Sequence, residues 1–300
     1  MLFVPGNNMR MIHKSSSLDV DSVILDLEDA VPIAEKETAR IFVRDSVEPV
    51  KRGGPDVYVR VNALSSGLVQ KDVDMAIHEG LDGIVLPKCE TRADISKIED
   101  LIREKESQRN VETGAIGILP LLETAKGVVS AYDIASASSR VIALGFGAVD
   151  YTRDMGVPIS KEGVELLYPR SHIAVASRAA GIQAVDSPWI DILDKEGLTK
   201  DSSLARQLGF NGKMLIHPSH TDVVNKIFSP SEPEIEYARK IVAAYEQAQA
   251  RGLGATSLNQ KMIDVATFRQ AQELLMLAEQ ISERQRKRVH RGVSAESLRD

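Results

Sequence analysis

The stretch of sequence that decides the fold is residues 22–62, SVILDLEDAVPIAEKETARIFVRDSVEPVKRGGPDVYVRVN. It contains an apolar run at 22–27, an amphipathic segment at 34–50 that follows Pro32, and a second apolar run at 57–61. A proline at the start of an amphipathic segment is a typical helix-start signal, and short runs rich in β-branched residues predict strands. The stretch is therefore predicted to form a strand–helix–strand unit, the building block of a parallel sheet.

The same alternation continues along the chain and predicts a closed barrel. Amphipathic segments at 92–108, behind the candidate N-cap Thr91, and at 164–180, ending at Gly181, predict further helices. No Gly-rich phosphate fingerprint follows the first strand, so an open dinucleotide-binding sheet is disfavoured. The predicted fold class is α/β, a (β/α)8 TIM barrel, with strands at 2–4, 22–27, 57–61, 83–86, 115–119, 140–144, 183–185 and 213–216.

A C-terminal extension is expected to follow the barrel. Residues 229–233, Ser-Pro-Ser-Glu-Pro, punctuate the chain, and the residues after them predict two helices, at 234–251 and 265–283. We divide the chain into a barrel domain at 1–228, a helical lid or oligomerisation extension at 229–283, and a basic tail at 284–300. We expect the tail to be flexible and solvated, with a contact to an anion or a partner as the alternative.

The composition argues against several classes of function. Lysine and arginine number 37 against 43 aspartate and glutamate, and the resulting net charge of −6 argues against general nucleic-acid binding. No apolar run is long enough for a membrane span, and the N-terminal residues lack the pattern of a secretory signal. The single cysteine, Cys89, cannot form an internal disulfide, which fits a reducing compartment, so we expect a cytoplasmic protein.

Polar residues follow most of the predicted strands at their carboxyl ends. In a parallel barrel this end carries the active site, so charged residues there are candidates for function. We expect them to line an acidic mouth that also holds a few cations; the residues are Asp26, Glu28, Asp29, Arg60, Asn62, Lys88, Glu123, Asp150, Asp186 and His217.

Two carboxylates and one arginine are the strongest candidates. Glu123 and Asp150 follow adjacent predicted strands, which lie about 4.8 Å apart in a sheet, so both side chains could reach one ion. Mg²⁺ is usually held by one or two carboxylates together with water and substrate oxygens. The alternative for either residue alone is a helix cap or a surface charge. Arg60 lies in an apolar strand and therefore needs a carboxylate or an anionic ligand. It either pairs with Glu28 or Asp29, contacts a substrate oxygen, or does both.

Other polar residues allow more than one interpretation. Lys88 could be a Schiff-base nucleophile, but we favour an ion pair with the surrounding acids, which would keep it protonated. His217 could bind a metal, yet the histidines show no ligand spacing, so we favour packing or hydrogen bonding. Cys89 lacks a recognisable histidine partner and is interpreted as structural. Gly145, Gly147 and Gly163 are expected at tight turns where the backbone passes close to another group.

The motifs at the strand ends resemble a known family. They are similar to those of the citrate lyase beta subunit and its relatives citramalyl-CoA lyase and malyl-CoA lyase, in the HpcH/HpaI aldolase-like superfamily. The resemblance covers residues 2–281 and is carried by motifs in the family's order, namely Leu2-Phe-Val-Pro-Gly-Asn7, Leu25-Asp-Leu-Glu-Asp-Ala30, Val59-Arg-Val-Asn62, Leu86-Pro-Lys88, Leu122-Glu-Thr-Ala125 and Lys213-Met-Leu-Ile-His-Pro218.

The resemblance implies catalytic roles for particular residues. Glu123 and Asp150 match the family's magnesium ligands. Arg60 matches the arginine that contacts the oxygen of the keto acid and of the developing enolate. Glu28 and Asp29 match the acidic pair behind that arginine.

Further positions match the family's thioester site. Asp264, at the end of Asn259-Gln-Lys-Met-Ile-Asp264, matches the lid aspartate that enters a neighbouring subunit's site in the acyl-CoA members. The resemblance thus implies a homo-oligomer, a trimer or a hexamer. Phe3 and Lys14 fall where relatives contact coenzyme A. Where many relatives carry Glu-Asp, this chain has Val149 before the second acid.

The resemblance implies a reaction and leaves the substrate open. It implies a Mg²⁺-dependent carbon–carbon lyase that cleaves a 3-hydroxyacyl thioester to an acetyl thioester and a 2-keto acid. The substrate could be citramalyl-CoA, malyl-CoA, or a citryl group on coenzyme A or acyl carrier protein, and the retained Asp264 favours an acyl-CoA. The alternatives are a malyl-CoA thioesterase or synthase of the same family and a non-catalytic partner-binding homologue. Neither nucleic acid nor a membrane is an expected partner.

Overall fold

A computed structural model describes the backbone of residues 1–296 and the side chains of residues 1–286. The chain divides into two compact units, Met1–Val224 and Asn225–Asp300. None of the helices in this described part combines the length and the apolar content that crossing a bilayer would take.

The first unit is a closed barrel of eight parallel strands that pair in sequence order. The strands are β1 Leu2–Pro5, β2 Ser22–Asp26, β3 Asp56–Arg60, β4 Gly83–Leu86, β5 Gly117–Leu122, β6 Ala143–Phe146, β7 Gln183–Asp186 and β8 Gly212–Lys213. Leu215, just after β8, closes the ring on β1: its N–H donates to the Met1 carbonyl at 2.8 Å, and its carbonyl accepts from the Phe3 N–H at 2.8 Å. The predicted (β/α)8 barrel is confirmed.

Helices follow the strands, as the βα pattern predicts. They are α1 Met9–Ser15, α2 Lys36–Arg52, α3 Val69–Ala76, α4 Arg92–Arg109, α5 Ala125–Val129, α6 Ala131–Ala135, α7 Ala148–Met155, α8 Val164–Ala180, α9 Lys195–Leu208 and α10 Thr221–Phe228. The predicted cap Thr91 accepts a hydrogen bond from the Asp94 N–H, and the two residues form a capping box that starts α4. The predicted stop Gly181 has φ 73° and ends α8.

Two strands begin later than predicted, and a buried ion pair lies beside their predicted starts. Glu106, on α4, accepts the N–H groups of Gly114 and Ile116 at 3.2 Å each, so these residues bond to a carboxylate and not to a neighbouring strand. The Arg140 guanidinium turns to the same carboxylate at 2.8 and 2.6 Å. β5 therefore starts beyond the predicted residue 115. β6 starts at Ala143, although the Arg140 carbonyl accepts from the Ile118 N–H at 2.7 Å and Val141 forms an isolated bridge with Ile118.

The alternation of side chains along each strand decides which residues face the barrel interior. The side chain two positions further along a strand points the same way. Asp26 and Arg60 thus continue the rows of Ile24 and Tyr58 at the carboxyl end of the barrel, where Glu123 also follows β5. The interior rows are built from a packed apolar cluster of Ile24, Val85, Leu119, Leu121, Ala143, Val185 and Met214, with Met1, Phe3 and Tyr58 against it.

Asp186 does not line the mouth, so that prediction was wrong. It directly follows the interior residue Val185 and therefore points to the opposite side of the sheet. There its carboxylate meets Arg170 Nε at 2.9 Å and Lys213 Nζ at 2.5 Å. Asp201, on α9, contacts the same two cations at 2.7 and 2.5 Å. This buried network ties β7 and β8 to α8 and α9.

Replacing Asp186 by Asn is expected to destabilise the barrel by about 3 kcal/mol, because it leaves two buried cations with one carboxylate. The side chains of Arg170 and Lys213 are 3% and 0% exposed, so water cannot compensate. Urea unfolding followed by circular dichroism measures the change. Asp133→Asn, the same charge change at an exposed position of α6, is the control and should shift stability by less than about 0.5 kcal/mol. Equal midpoints for the two variants would contradict the role of the network.

The second unit contains two helices and a hairpin. The elements are α11 Glu232–Ala250, the antiparallel strands β9 Thr256–Leu258 and β10 Lys261–Ile263, and α12 Val265–Glu296. Tyr245 of α11 stacks on Phe268 of α12 with ring centroids 4.6 Å apart. The hairpin was not predicted, because its turn residues Asn259 and Gln260, with φ 50° and 65°, lack the glycine that usually signals such a turn.

The last helix is longer than predicted. α12 continues to Glu296, beyond the expected end at residue 283, because arginine, lysine and glutamine are good helix formers and no proline interrupts them. The backbone of residues 284–296, the first part of the tail that we predicted to be flexible, is therefore helical, and residues 297–300 lie outside the described residues.

Candidate functional site

An ion pair between strands β2 and β3 forms one side of the barrel mouth. Asp26 binds Arg60 through two hydrogen bonds, Nε to Oδ1 and Nη2 to Oδ2, both 2.7 Å long. Asp26 is 1% exposed. Asp26 was not among the predicted partners of Arg60, which were Glu28 and Asp29, and of these two Glu28 does contact it. The signal was available, since Asp26 lies two positions after Ile24 and so shares its interior row.

Glu28 extends this pair to a second cation. Its Oε2 lies 3.2 Å from Arg60 Nη1, and its Oε1 accepts from Lys88 Nζ at 2.5 Å. Asp29, whose side chain is 63% exposed, lies 3.9 Å from Lys88 Nζ, at the edge of the cluster. The Phe3 ring covers the Arg60 guanidinium from the other side, 4.7 Å from its centroid.

The charges in this cluster stabilise one another against burial. Burial raises the pKa of Glu28, while Arg60 and Lys88 oppose that rise. Burial alone would lower the pKa of Arg60 and of Lys88, but the surrounding carboxylates together outweigh it, Asp26 first for the arginine and Glu28 first for the lysine, so both pKa values are raised. The ion pair favoured for Lys88 is confirmed. A lysine held protonated in this way is not an amine nucleophile.

Glu123 lies on the opposite side of the mouth and is 3% exposed. Its Oε2 accepts the backbone N–H of Lys88 at 2.9 Å. Lys88 has φ 52°, a left-handed conformation that is uncommon outside glycine. Gly147 leaves room for the acid, because a Cβ there would lie 2.5 Å from Glu123 Cγ, which confirms the close approach expected at this glycine. The close approach expected at Gly163 was wrong, since a Cβ there would meet nothing within 4 Å and the glycine instead adopts a φ of 63°.

Asp150 is in the first turn of α7, where its Oδ1 lies 2.7 Å from Arg153 Nη2. Its side chain is 21% exposed. Asp150 and Glu123 line one cavity of about 330 Å³, together with Lys88, Thr124 and other residues of the mouth. The two carboxylates are therefore brought to one space. Val149 is 53% exposed, so this departure from the family pattern is on the surface.

The electrostatics of Glu123 suit a cation. Burial raises its pKa to about 8, with Glu28 and Asp150 adding to the rise and Arg60 opposing it. Its Oε1 has no protein hydrogen-bond donor among the described residues. No group of three or more His, Cys, Asp or Glu side chains within this part of the chain could hold a metal. A divalent ion here would thus take two carboxylates and complete its shell with water and substrate oxygens, which suits Mg²⁺.

The remaining candidates are Lys14, Asp264 and His217. Lys14 is exposed on α1. Asp264, in the second unit, caps α12: it accepts from the Thr267 N–H at 2.9 Å and hydroxyl at 3.0 Å, and these bonds lower its pKa. His217 hydrogen-bonds to Ser219, as favoured.

The buried cysteine has no sign of reactivity. Cys89 is 1% exposed, and burial raises the pKa of its thiol. Because the thiolate is the reactive form of cysteine, the structural interpretation of Cys89 is confirmed.

Comparison with known proteins gives a consistent match over most of the chain. The profile of the family described as HpcH/HpaI aldolase/citrate lyase matches residues 1–218. The chain is 40% identical over 278 residues to the citrate lyase subunit beta of Leuconostoc mesenteroides subsp. cremoris, covering 93% of this chain and 92% of that one. It is 34% identical over 294 residues to the mitochondrial citramalyl-CoA lyase of Homo sapiens, covering 95% and 86%.

Solved structures give the same result. The protein CitE from Mycobacterium tuberculosis, in complex with magnesium, acetoacetate and coenzyme A, has a TM-score of 0.74 and 30% identity, covering 93% of this chain and 97% of that chain. A citrate lyase from Burkholderia xenovorans LB400 has a TM-score of 0.84, covering 94% of this chain and 91% of that one. At 20% identity the second likeness concerns the fold alone.

Binding of a divalent cation at this cavity is expected to release a proton from Glu123. Its pKa of about 8 means that the metal-free carboxyl is mostly protonated near neutral pH, and only the carboxylate is a ligand. The apparent affinity should therefore fall about tenfold for each pH unit below 8 and level off above it. Calorimetry in buffers with different ionisation enthalpies counts the protons. Affinity that does not change between about pH 6 and about pH 8, with no proton released, would contradict the assignment.

Proposed function

This chain belongs to the HpcH/HpaI aldolase/citrate lyase family, and we propose that it is a Mg²⁺-dependent lyase that cleaves a carbon–carbon bond in a short 3-hydroxyacyl thioester. The observation that carries the proposal is the shared cavity of Glu123 and Asp150 at the carboxyl end of the barrel, beside the Asp26–Arg60 pair. Support also comes from the relative of 30% identity that was solved with magnesium, acetoacetate and coenzyme A.

Glu123 and Asp150 are the proposed metal ligands. When bound, Mg²⁺ would acidify the substrate's 3-hydroxyl and orient its carboxylate. Glu123 is positioned for this role by the Lys88 N–H, which binds one carboxylate oxygen and leaves the other available. Asp150 has a neighbouring cation in Arg153, on the exposed side of α7, which keeps part of its charge balanced in the absence of metal.

Arg60 is the proposed stabiliser of the charge that develops during cleavage. The bond between C2 and C3 of the thioester breaks, the C3 hydroxyl loses its proton to become the keto group, and the electron pair moves to the thioester enolate. A fixed donor to such an oxyanion is worth about 3 kcal/mol. Asp26 and Glu28 hold the guanidinium in place, so it need not reorganise as the charge forms. Asp29 is the outer acid of this group, near Lys88.

Asp264 is the proposed proton shuttle. The lowered pKa keeps its carboxylate charged, which is the form that takes up a proton. In the cleavage direction it would take up the proton that the C3 hydroxyl loses and deliver it to the enolate carbon, which gives the acetyl thioester. By analogy with the acyl-CoA members of the family, Asp264 would act in the site of a neighbouring subunit, so the second unit would be a lid within a homotrimer or homohexamer. Phe3 and Lys14 are the proposed contacts to coenzyme A.

The substrate is proposed to be an acyl-CoA. Citramalyl-CoA, malyl-CoA and citryl thioesters differ only in the groups at the carbinol carbon, and the retained Asp264 favours a coenzyme A thioester over one on acyl carrier protein. The names of the relatives include both citrate lyase subunit beta and citramalyl-CoA lyase. We place this reaction in the cytoplasm, in line with the single buried cysteine.

Turnover with Mg²⁺ should depend on both proposed ligands. We expect the purified protein to release a keto acid from at least one of malyl-CoA, citramalyl-CoA and citryl-CoA, and expect Glu123→Gln and Asp150→Asn to abolish that release without loss of fold. Asp133→Asn, the same charge change on the exposed face of α6, is the matched control. Keto-acid formation coupled to a dehydrogenase measures the rate. Full activity in excess chelator would refute the proposal. So would the absence of keto-acid release from all three substrates while metal is still bound.

Asp264→Asn should separate the chemistry of this residue from its helix cap. Asparagine caps a helix as well as aspartate does, so α12 should keep its stability while kcat falls about 10²- to 10⁴-fold. Mixing this variant with Glu123→Gln tests where the residue acts. If Asp264 acts in a neighbour's site, subunit exchange between the two inactive variants restores part of the activity. Normal turnover by the Asn variant would contradict the assignment, and absence of complementation would place Asp264 in its own subunit's site.

A further inference from the structure

The acidic loop, residues 27–30, leads from β2 into the mouth and carries Glu28. Its carbonyl groups are held by Lys36, the first residue of α2. The Lys36 ammonium donates to the Leu27 carbonyl at 2.6 Å and to the Glu28 carbonyl at 2.7 Å. The N–H groups of the same loop are held by a carboxylate, since Asp26 accepts from Glu28 at 2.9 Å. Charged side chains therefore fix both sides of the loop backbone.

Burying the Lys36 ammonium costs folding free energy. Lys36 is 8% exposed, and within the described residues it forms no ion pair. Burial lowers its pKa, although nearby carboxylates, Asp26 first, oppose this. A cation in the first turn of a helix also opposes the helix dipole. An apolar side chain of similar length would avoid these costs, so packing alone does not account for the charge.

The Leu27 carbonyl, which accepts from Lys36, also accepts a hydrogen bond from a second side chain. Asn62, just after β3, donates from Nδ2 to the Leu27 carbonyl at 2.9 Å. Asp72 holds Asn62 by accepting from its N–H and its Nδ2, both at 2.7 Å, and Arg40 holds Asp72 at 2.7 Å. Both lone pairs of the Leu27 carbonyl are thus used by buried donors. The start of the acidic loop is linked by hydrogen bonds to α2, β3 and α3.

The conformation of the acidic loop affects the mouth because the loop carries Glu28. Its two carboxylate oxygens contact Arg60 at 3.2 Å and Lys88 at 2.5 Å, so a shift of its backbone would loosen both cations. We infer that Lys36 is a positioning residue for the lyase reaction: it holds the acidic loop in the conformation in which Glu28 meets Arg60 and Lys88. This inference rests on the proposed function for its effect on rate, while its effect on the loop can be measured without any substrate.

Lys36→Met tests the inference in the full-length protein with Mg²⁺. Because misplacing a catalytic group by about 1 Å can cost two orders of magnitude in rate, we expect kcat to fall about 10- to 100-fold. The Kd for Mg²⁺ should stay within about threefold of the wild-type value, since Glu123 and Asp150 belong to other elements. Hydrogen exchange followed by mass spectrometry should show faster exchange at residues 27–36, without faster exchange across the barrel.

Lys71→Met is the matched control, because it makes the same change at an exposed residue of α3 whose only described ion pair is with Glu37. It should leave kcat and exchange at 27–36 unchanged. Lys36→Gln keeps one donor group, so its kcat and its exchange rate at 27–36 should lie between those of the Met variant and the wild type. In Lys36→Ala, ethylammonium should restore part of kcat, and tetramethylammonium, which has no N–H, should not.

Three results would overturn the inference. The first is wild-type kcat in Lys36→Met, and the second is exchange at 27–36 that does not change. The third is a fall in kcat, Mg²⁺ affinity and thermal stability together, which would indicate a general structural role. If the wild-type protein itself turned over none of the thioesters, the proposed function would fail, and the exchange comparison alone would decide whether Lys36 holds the loop.

Discussion

The charge balance at the carboxyl end of the barrel is the constraint on which the rest of the site depends. Three carboxylates are buried there, Asp26, Glu28 and Glu123, and a buried charge is tolerated only when it meets a partner. The cations within reach are Arg60 and Lys88, and both bind the acids on the β2 side. Burial, with the neighbouring charges of Glu28 and Asp150, therefore raises the pKa of Glu123 to about 8.

This imbalance divides the mouth into two halves with different chemistry. The half formed by β2 and β3 holds a fixed guanidinium between Asp26 and Glu28, as stabilisation of a developing oxyanion requires. The half formed by β5 and α7 holds Glu123 and Asp150 around one cavity, as a hard cation requires. Lys88 links the halves, because its ammonium contacts Glu28 while its N–H, turned by a left-handed φ, binds Glu123.

Much of this arrangement follows from sequence periodicity. Eight apolar runs predict the barrel, and the rule that active residues lie at the carboxyl ends of strands selects Arg60 and Glu123. The two-residue alternation would also have placed Asp26 in the interior and Asp186 outside it, had it been applied to the strand ends. The role of Asp186 as a partner of Arg170 depends on α8, whose approach to β7 is a tertiary contact that no local pattern reports.

Other features could not have been predicted from local sequence. The left-handed φ of Lys88 is imposed by its neighbours, since lysine has no preference for that conformation. The hydrogen bonds from Lys36 to the acidic loop end on backbone carbonyl groups. Every residue has such a group, so no residue type in the loop indicates this contact. The hairpin before Asp264 has a turn of two non-glycine residues, so no sequence signal indicated a turn or the two short strands beside it.

One measurement tests the central claim directly: a crystal structure of the protein with Mn²⁺ in place of Mg²⁺, with the ion located by its anomalous scattering. We predict one peak in the cavity shared by positions 123 and 150, with an oxygen of each carboxylate about 2.1 Å from the ion and water in the remaining positions. A peak elsewhere on the protein, or an ion held by only one of the two carboxylates, would contradict it.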